Sequence, residues 1–225
     1  LMHRAEQLDN LYIFKNTEGT PENIRKFHPN IIVSSTGSAP LLPPIAGLKD
    51  RIDNKNHNIY SILGMISHIN DFPKDLEGKK VVVVGGGAVG LDVVEFFADR
   101  NADISIVEMM DQIGRDLDPV SKNDTKAMMK KHNVHQLTKT ALLEVKDSSF
   151  LVRGDGEPYE LPFEYGFVCL GMRAQGQLYQ SLTEEFSSED VEIMNIGDSQ
   201  RARRIIDGTQ EGRNILTILE QRGYL

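Results

Sequence analysis

Four valines stand in an unbroken run, Val81-Val82-Val83-Val84, and three glycines follow it at once. Four β-branched residues without alternation predict a strand buried on both faces. The run Leu91 to Arg100 then reads as a helix, and Ala102 to Val107 as a second strand ending in Glu108. Asp118-Pro119 has the form of an N-cap followed by proline in the first turn, opening a helix that reaches about His132. Beyond it the period changes. Ala141 to Val145, Phe150 to Arg153 and Tyr159 to Phe163 are short strand candidates, divided by Asp147-Ser148 and Gly154-Asp155-Gly156, which predicts a β-meander. Tyr165 to Leu170 returns as a buried strand.

The flanks are less regular. Leu11 to Phe14 is a short strand candidate, and Thr20-Pro21 opens a short helix to about Phe27. Ile31 to Val33 reads as a buried strand leading into Ser35-Thr36-Gly37-Ser38. Pro40, Pro43 and Pro44 favour an extended connection, residues 47–58 a polar loop, and Ile59 to Ile69 a short helix. Past Gly171 come a helix near Gln177 to Leu182, a strand from Val191 to Ile196, and a long helix from about Arg201 to Gln221. The last has Ile205, Ile206, Ile215, Leu216, Ile218 and Leu219 on its apolar face. The expected class is α/β: a three-layer, Rossmann-like nucleotide domain with a β-meander over residues 79–171, inserted into a discontinuous lobe made of 1–78 and 172–225.

The glycines supply the candidate chemistry. Gly85-Gly86-Gly87-Ala88-Val89-Gly90 has the form G-x-G-x-x-G between a strand and a helix. Gly85 takes the turn dihedrals, Gly87 lets backbone approach a pyrophosphate, and Gly90 lets the helix pack on the strand. The helix start offers free N–H groups to phosphates. Glu108 stands where a ribose-binding acid belongs. A purely structural glycine turn and a solvated strand-end carboxylate are the alternatives, and the combined context favours the dinucleotide.

Composition narrows the partners. A net charge of −8 over 225 residues argues against nucleic acid and anionic membrane as nonspecific partners. Asp92 and Glu95 interrupt the best candidate for a membrane span, and no secretory leader is visible, so a cytoplasmic location is expected. The single cysteine, Cys169, excludes an internal disulfide and a C-x-x-C pair, and its apolar neighbours make it a buried small hydrophobe. His132 and His135 lack nearby Cys or acidic partners, so no metal site is expected. The opening Leu1-Met2-His3 reads as a piece cut from a longer protein.

An ordered series of motifs resembles the C-terminal region of the Old Yellow Enzyme-related NADH:flavin oxidoreductases, the group of 2-enoate reductase, 2,4-dienoyl-CoA reductase and trimethylamine dehydrogenase. It comprises Ser35-Thr36-Gly37-Ser38, the glycine fingerprint, Ile113-Gly114-Arg115-Asp116-Leu117-Asp118-Pro119, Leu170-Gly171-Met172-Arg173, Ile196-Gly197-Asp198, and Arg203-Arg204-Ile205-Ile206-Asp207-Gly208 with Glu211-Gly212. The resemblance implies an NAD(H)-binding domain inserted in an FAD-binding lobe, after a barrel with FMN and an iron–sulfur cluster. No second fingerprint precedes residue 85, and the cluster cysteines and the barrel are absent, so the flavin lobe is expected to be partial and FAD retention weak.

By position, the resemblance implies dinucleotide contacts at Gly85, Gly86, Gly87, Ala88, Val89, Gly90 and Gly171, with Glu108 on the adenosine ribose. Asp92 matches a glutamate near the nicotinamide end and is one methylene shorter, leaving a solvated helix carboxylate as an equal reading. Thr36 and Gly37 match the crossover between the two nucleotide domains, and Gly197-Asp198 matches the flavin ribityl or phosphate region. A carboxylate at 108 repels a 2′-phosphate, and Met109 and Met110 supply no cation, which favours NADH over NADPH, although Arg115 is close in sequence. The implied chemistry is hydride transfer from nicotinamide to flavin, which needs no protein nucleophile, and no catalytic acid or base is assigned. None of the tyrosines has lysine four positions on, which disfavours a short-chain dehydrogenase. A non-catalytic dinucleotide-binding or sensing module is the alternative.

Overall fold

A computed structural model describes Arg4 and residues 7–224. The chain forms two compact units, one from residues 1–38 and 174–225 and one from 39–173. In the outer unit, helix α1 (Pro21–Arg25) starts where Thr20 accepts a hydrogen bond from the Asn23 N–H at 3.2 Å. Strand β1 (Ile31–Ser34) follows, and β2 (Ser38–Pro40) carries the chain into the central unit. Leu11 to Phe14 is exposed and belongs to no strand; among the described residues it has no neighbouring ladder, and Phe14 packs instead against the Phe27 ring, centroids 5.1 Å apart.

The central unit opens with helix α2 (Leu48–Arg51), strand β3 (Ile59–Tyr60) and helix α3 (Ile62–Ser67). These lie where the sequence suggested a polar loop and one continuous helix. Ser61 ends the strand and caps the helix, accepting from the Gly64 N–H at 3.1 Å. Then come β4 (Lys80–Val84), α4 (Ala88–Ala98), β5 (Asp103–Val107), α5 (Pro119–Lys131) and β6 (His135–Leu137). The meander is β7 (Ala141–Val145), β8 (Ser149–Arg153) and β9 (Tyr159–Pro162), and β10 (Tyr165–Val168) returns to the main sheet.

That sheet is parallel, five-stranded and ordered β3-β10-β4-β5-β6. Its faces explain the valine run. Val81 and Val83 pack with Val93, Val94 and Phe97 of α4, while Val82 and Val84 pack with Val145, Phe150 and Val152 of the antiparallel meander. Each face is covered, so each valine is buried, contributing roughly 1.5–3 kcal/mol. The three layers are helices, parallel sheet and meander.

Residues 39–78 fold with the central unit, which differs from the domain boundary drawn at 79. Leu48, Ile52 and Ile59 are buried in the meander-side core, and Met65, Phe72 and Leu76 in the helix-side core. Strand β3 also pairs with β10, Gly166 opposite Ile59. Burial and pairing together outweigh the polar composition of the segment.

Strand β11 (Met172–Ala174) carries the chain back to the outer unit, which ends with α6 (Gln177–Glu185), β12 (Glu192–Asn195) and α7 (Ile205–Gln221). Strands β1 and β12 pair in parallel, Ile31 opposite Glu192. Ile32, Leu182 and Phe186 form the small core. Helix α7 begins at Ile205 and not near Arg201. Its expected apolar face is largely solvated: Ile205, Ile206 and Leu216 are exposed, and Leu219 is buried. Among the described residues no helix is long and apolar enough to cross a membrane.

Candidate functional site

The site grows from the end of β4. Gly85 has φ of +109°, and a Cβ there would lie 2.2 Å from the Cys169 carbonyl oxygen. A Cβ on Gly90 would lie 1.9 Å from the Gly85 oxygen, so this glycine is required where α4 crosses the turn. Gly87 differs from both. A Cβ there would meet nothing closer than the Asp116 carboxylate, at 3.7 Å. Its open side adjoins the first turn of α4, Ala88, Val89 and Gly90, whose N–H groups have no intrahelical partners.

Glu108, at the end of β5, folds back on this turn. Its Oε2 accepts from the Gly86 N–H at 2.6 Å and its Oε1 from the Met110 N–H at 2.7 Å. The two bonds fix the carboxylate plane while leaving each oxygen a further lone pair. Beside it is a cleft of about 570 Å³, lined largely by apolar side chains including Ile45, Val84, Val107 and Leu142, with Glu108 and Asp116 as its acids. Gly171, at φ of +105°, lines the same cleft. A smaller hollow of about 400 Å³ adjoins the turn, lined by Gly86, Gly87, Glu108, Arg115 and Asp116 among others.

One sequence candidate, Asp92, stands apart from that cleft, and the single cysteine lies in its wall. Asp92, on α4, lines a separate hollow with Glu95, Ser121 and Asp124, where partial desolvation raises its carboxyl above the usual range. Cys169 is buried beneath the glycine turn, where desolvation first and the Asp92 charge second push its thiol up to about 12. It is protonated at neutral pH and acts as a small apolar residue.

The remaining candidates lie in the outer unit. The Thr36 hydroxyl donates to the Gln175 carbonyl at 2.6 Å, and the Gln175 N–H donates to the Gly37 carbonyl at 3.0 Å. Asp198 accepts from the Ser38 hydroxyl and from the Arg203 N–H, both at 3.1 Å. The Gly197 N–H is taken by Glu211 at 2.6 Å, and Arg203 pairs with the same carboxylate at 2.5 Å. These contacts, the Gly197 N–H first, hold the Glu211 carboxyl below its usual range. Among the described residues no three His, Cys, Asp or Glu side chains are grouped to hold a metal ion.

Sequence reasoning missed Asp116, Ile45, Thr140 and Leu142 as cleft residues. Asp116 had a signal, since it lies inside the Ile113 to Pro119 motif. The others reach the cleft through nonlocal packing of the 39–78 segment and the meander.

A covered parallel sheet, a glycine turn opening a helix, and an acid at the next strand end define the class: a three-layer, Rossmann-like α/β unit. The chain belongs to the pyridine nucleotide-disulphide oxidoreductase family, which it matches over residues 9–194. It is 27% identical to a metal reductase of Desulforamulus reducens over 88% of this chain and 32% of the relative. It is 26% identical to an NADH oxidase of Thermoanaerobacter brockii over 85% of this chain and 28% of the relative. A solved 2-naphthoyl-CoA reductase has the same fold, with a TM-score of 0.72 at 23% identity, over 88% of this chain and 28% of that one. The chain thus spans about a third of the length of the curated relatives it matches. The likeness to NADH:flavin oxidoreductases read from the motifs agrees with these matches, and the family is one of flavin- and pyridine-nucleotide-dependent enzymes.

Proposed function

We propose that the central unit binds NADH in the 570 Å³ cleft and presents its nicotinamide to a flavin, as part of an enoate- or dienoyl-CoA-reductase-like oxidoreductase. The observation that carries this is the pairing of an open Gly87 with a Glu108 carboxylate fixed on the Gly86 and Met110 amides. Gly87, Ala88, Val89 and Gly90 would receive the pyrophosphate on backbone N–H groups, while Gly85 and Gly86, whose N–H groups are held by the Val107 carbonyl and Glu108, would shape the turn around it. The free lone pairs of Glu108 would accept the ribose hydroxyls, which favours NADH because a 2′-phosphate would bring like charge against the carboxylate. Gly171, without a side chain, leaves room along the cleft floor, and the apolar lining excludes water.

When bound, the nicotinamide supplies a hydride and the flavin ring accepts it. The residues of this chain bind and orient, and no side chain here is assigned a proton-transfer role. Thr36, Gly37, Gly197 and Asp198 would then belong to a partial FAD lobe. Glu211 already satisfies the Gly197 N–H, so that turn fits a flavin phosphate only if Glu211 yields it. The FMN and iron–sulfur cluster implied by the resemblance lie outside this chain on this reading, since an iron–sulfur cluster needs several cysteine ligands and the chain has one.

Calorimetric titration with NADH and NADPH tests the reading: NADH is expected to bind more tightly, and NADPH binding equally well overturns the preference. The closed Gly197 turn favours a second reading, a dinucleotide-sensing module without turnover. A flavin visible spectrum in the purified chain, bleached by NADH, excludes it.

A further inference from the structure

The loop after Glu108 returns over the glycine turn and is latched there, the Gly114 N–H donating to the Gly86 carbonyl at 2.7 Å. It carries Asp116 to the mouth of both the main cleft and the smaller hollow. The carboxylate oxygens of Asp116 stand 3.7 and 3.8 Å from the position of a Cβ on Gly87, on the one side where that glycine is open. Among the described residues the Asp116 side chain has no hydrogen-bond or ion-pair partner. Arg115 lines the same hollow and makes no ion pair with it, and the nearest cation of the following helix, Lys122, is held on the Arg115 carbonyl at 3.1 Å.

We infer that Asp116 is a charge-selecting residue of the cleft: its unpaired carboxylate faces the pyrophosphate position and weakens binding in proportion to ligand charge. This rests on the reading of the cleft as a dinucleotide site. Glu108 is neutralised in part by two backbone N–H groups, whereas Asp116 has none. An anion brought to Gly87 meets that charge at short range, and because Asp116 is exposed the repulsion acts across solvent and is screened by salt. The same carboxylate does nothing against an uncharged nucleoside.

The test is titration of the whole chain, wild type and Asp116→Asn, with NADH and with adenosine, at low and high salt. Asp116→Asn is expected to tighten NADH by about tenfold at low salt and less at high salt, with adenosine unchanged. Asp116→Glu, which keeps the charge, is expected to show no such gain. Wild type binding NADH with no gain in Asp116→Asn, or an equal gain for adenosine, overturns this inference alone. Neither protein binding NADH overturns the cleft reading with it.

Discussion

The two units spend their apolar residues differently. Among the described residues the central unit gathers 18 buried residues on one face of its sheet and 11 on the other, whereas the outer unit's cluster has three. The central sheet has five strands and the β1–β12 pair stands as two. A sheet covered on both faces stabilises itself through its own residues, so the glycine turn, at the C-terminal end of its central strand, is anchored on a buried core. The outer unit relies more on surface ion pairs, such as Arg25 with Glu185 at 2.8 Å, which contribute little in water. It also leaves Ile205 91% exposed on the first turn of α7. Precision of the candidate site and stability of the fold therefore belong to the same half.

Cutting into the central core has the largest expected effect. Phe97, fully buried among Phe72, Phe96 and Phe167, should cost about 3–5 kcal/mol as Phe97→Ala, and NADH binding should fall with the fold. Leu182→Ala in the outer unit should shift a urea transition while leaving NADH affinity intact. If Leu182→Ala abolishes binding as well, the two halves do not differ in the way described.

Within the central unit the glycines separate fold from site. Gly87→Val should eliminate detectable NADH binding yet keep near-native circular dichroism, since its Cβ meets only Asp116. Gly90→Ala should lower the melting temperature, because its Cβ is driven into the Gly85 carbonyl. A Gly87→Val protein that unfolds early would show that this glycine also serves packing.

Glu108→Ala comes next, weakening NADH by about 1–3 kcal/mol and narrowing the gap to NADPH, measured by calorimetry. The smallest effect concerns Glu211. Its carboxyl is held low in the folded state by the Gly197 N–H and Arg203, so its stabilisation is present above the ordinary glutamate value of 4.5. That contribution is lost as pH falls through the lower folded value. Glu211→Gln should cost less than about 1 kcal/mol at neutral pH after solvent screening, with wild type and variant converging in acid. A constant difference down to pH 2 would remove charge as the cause.

The β4-turn-α4-β5 unit was legible because its signals are local: a valine run, glycines, and an acid at fixed spacing. The meander was legible from its punctuating Asp-Ser and Gly-Asp-Gly turns. The 39–78 segment was not, because Leu48, Ile52 and Ile59 are single apolar residues among polar ones, and only distant partners make them core. Strand β6 escaped for a related reason, being three residues long with His135 and Gln136 exposed at the sheet edge. The solvated face of α7 was over-read, since helical spacing of isoleucines says that a face exists but not that anything covers it. Glu108 was found by spacing, and Asp116 was not, because its position depends on a loop folding back to the Gly86 carbonyl.

The valine strand carries no label for its own alignment. Because Val81 through Val84 are identical and both adjoining layers accept valine, sliding β4 by one residue would exchange like for like at three of the four buried positions, with Lys80 or Gly85 entering the fourth. Side-chain burial, which fixes register in an alternating strand, speaks here only at the ends of the run. What breaks the degeneracy is the terminus: the Gly85 N–H bonds to the Val107 carbonyl at 2.8 Å, and the close approach of Gly85 to the Cys169 carbonyl tolerates no side chain. The turn that opens the cleft is thus also the index mark against which the central strand is set, so a slip would misplace the ligand-facing backbone as well as cost the core a buried valine.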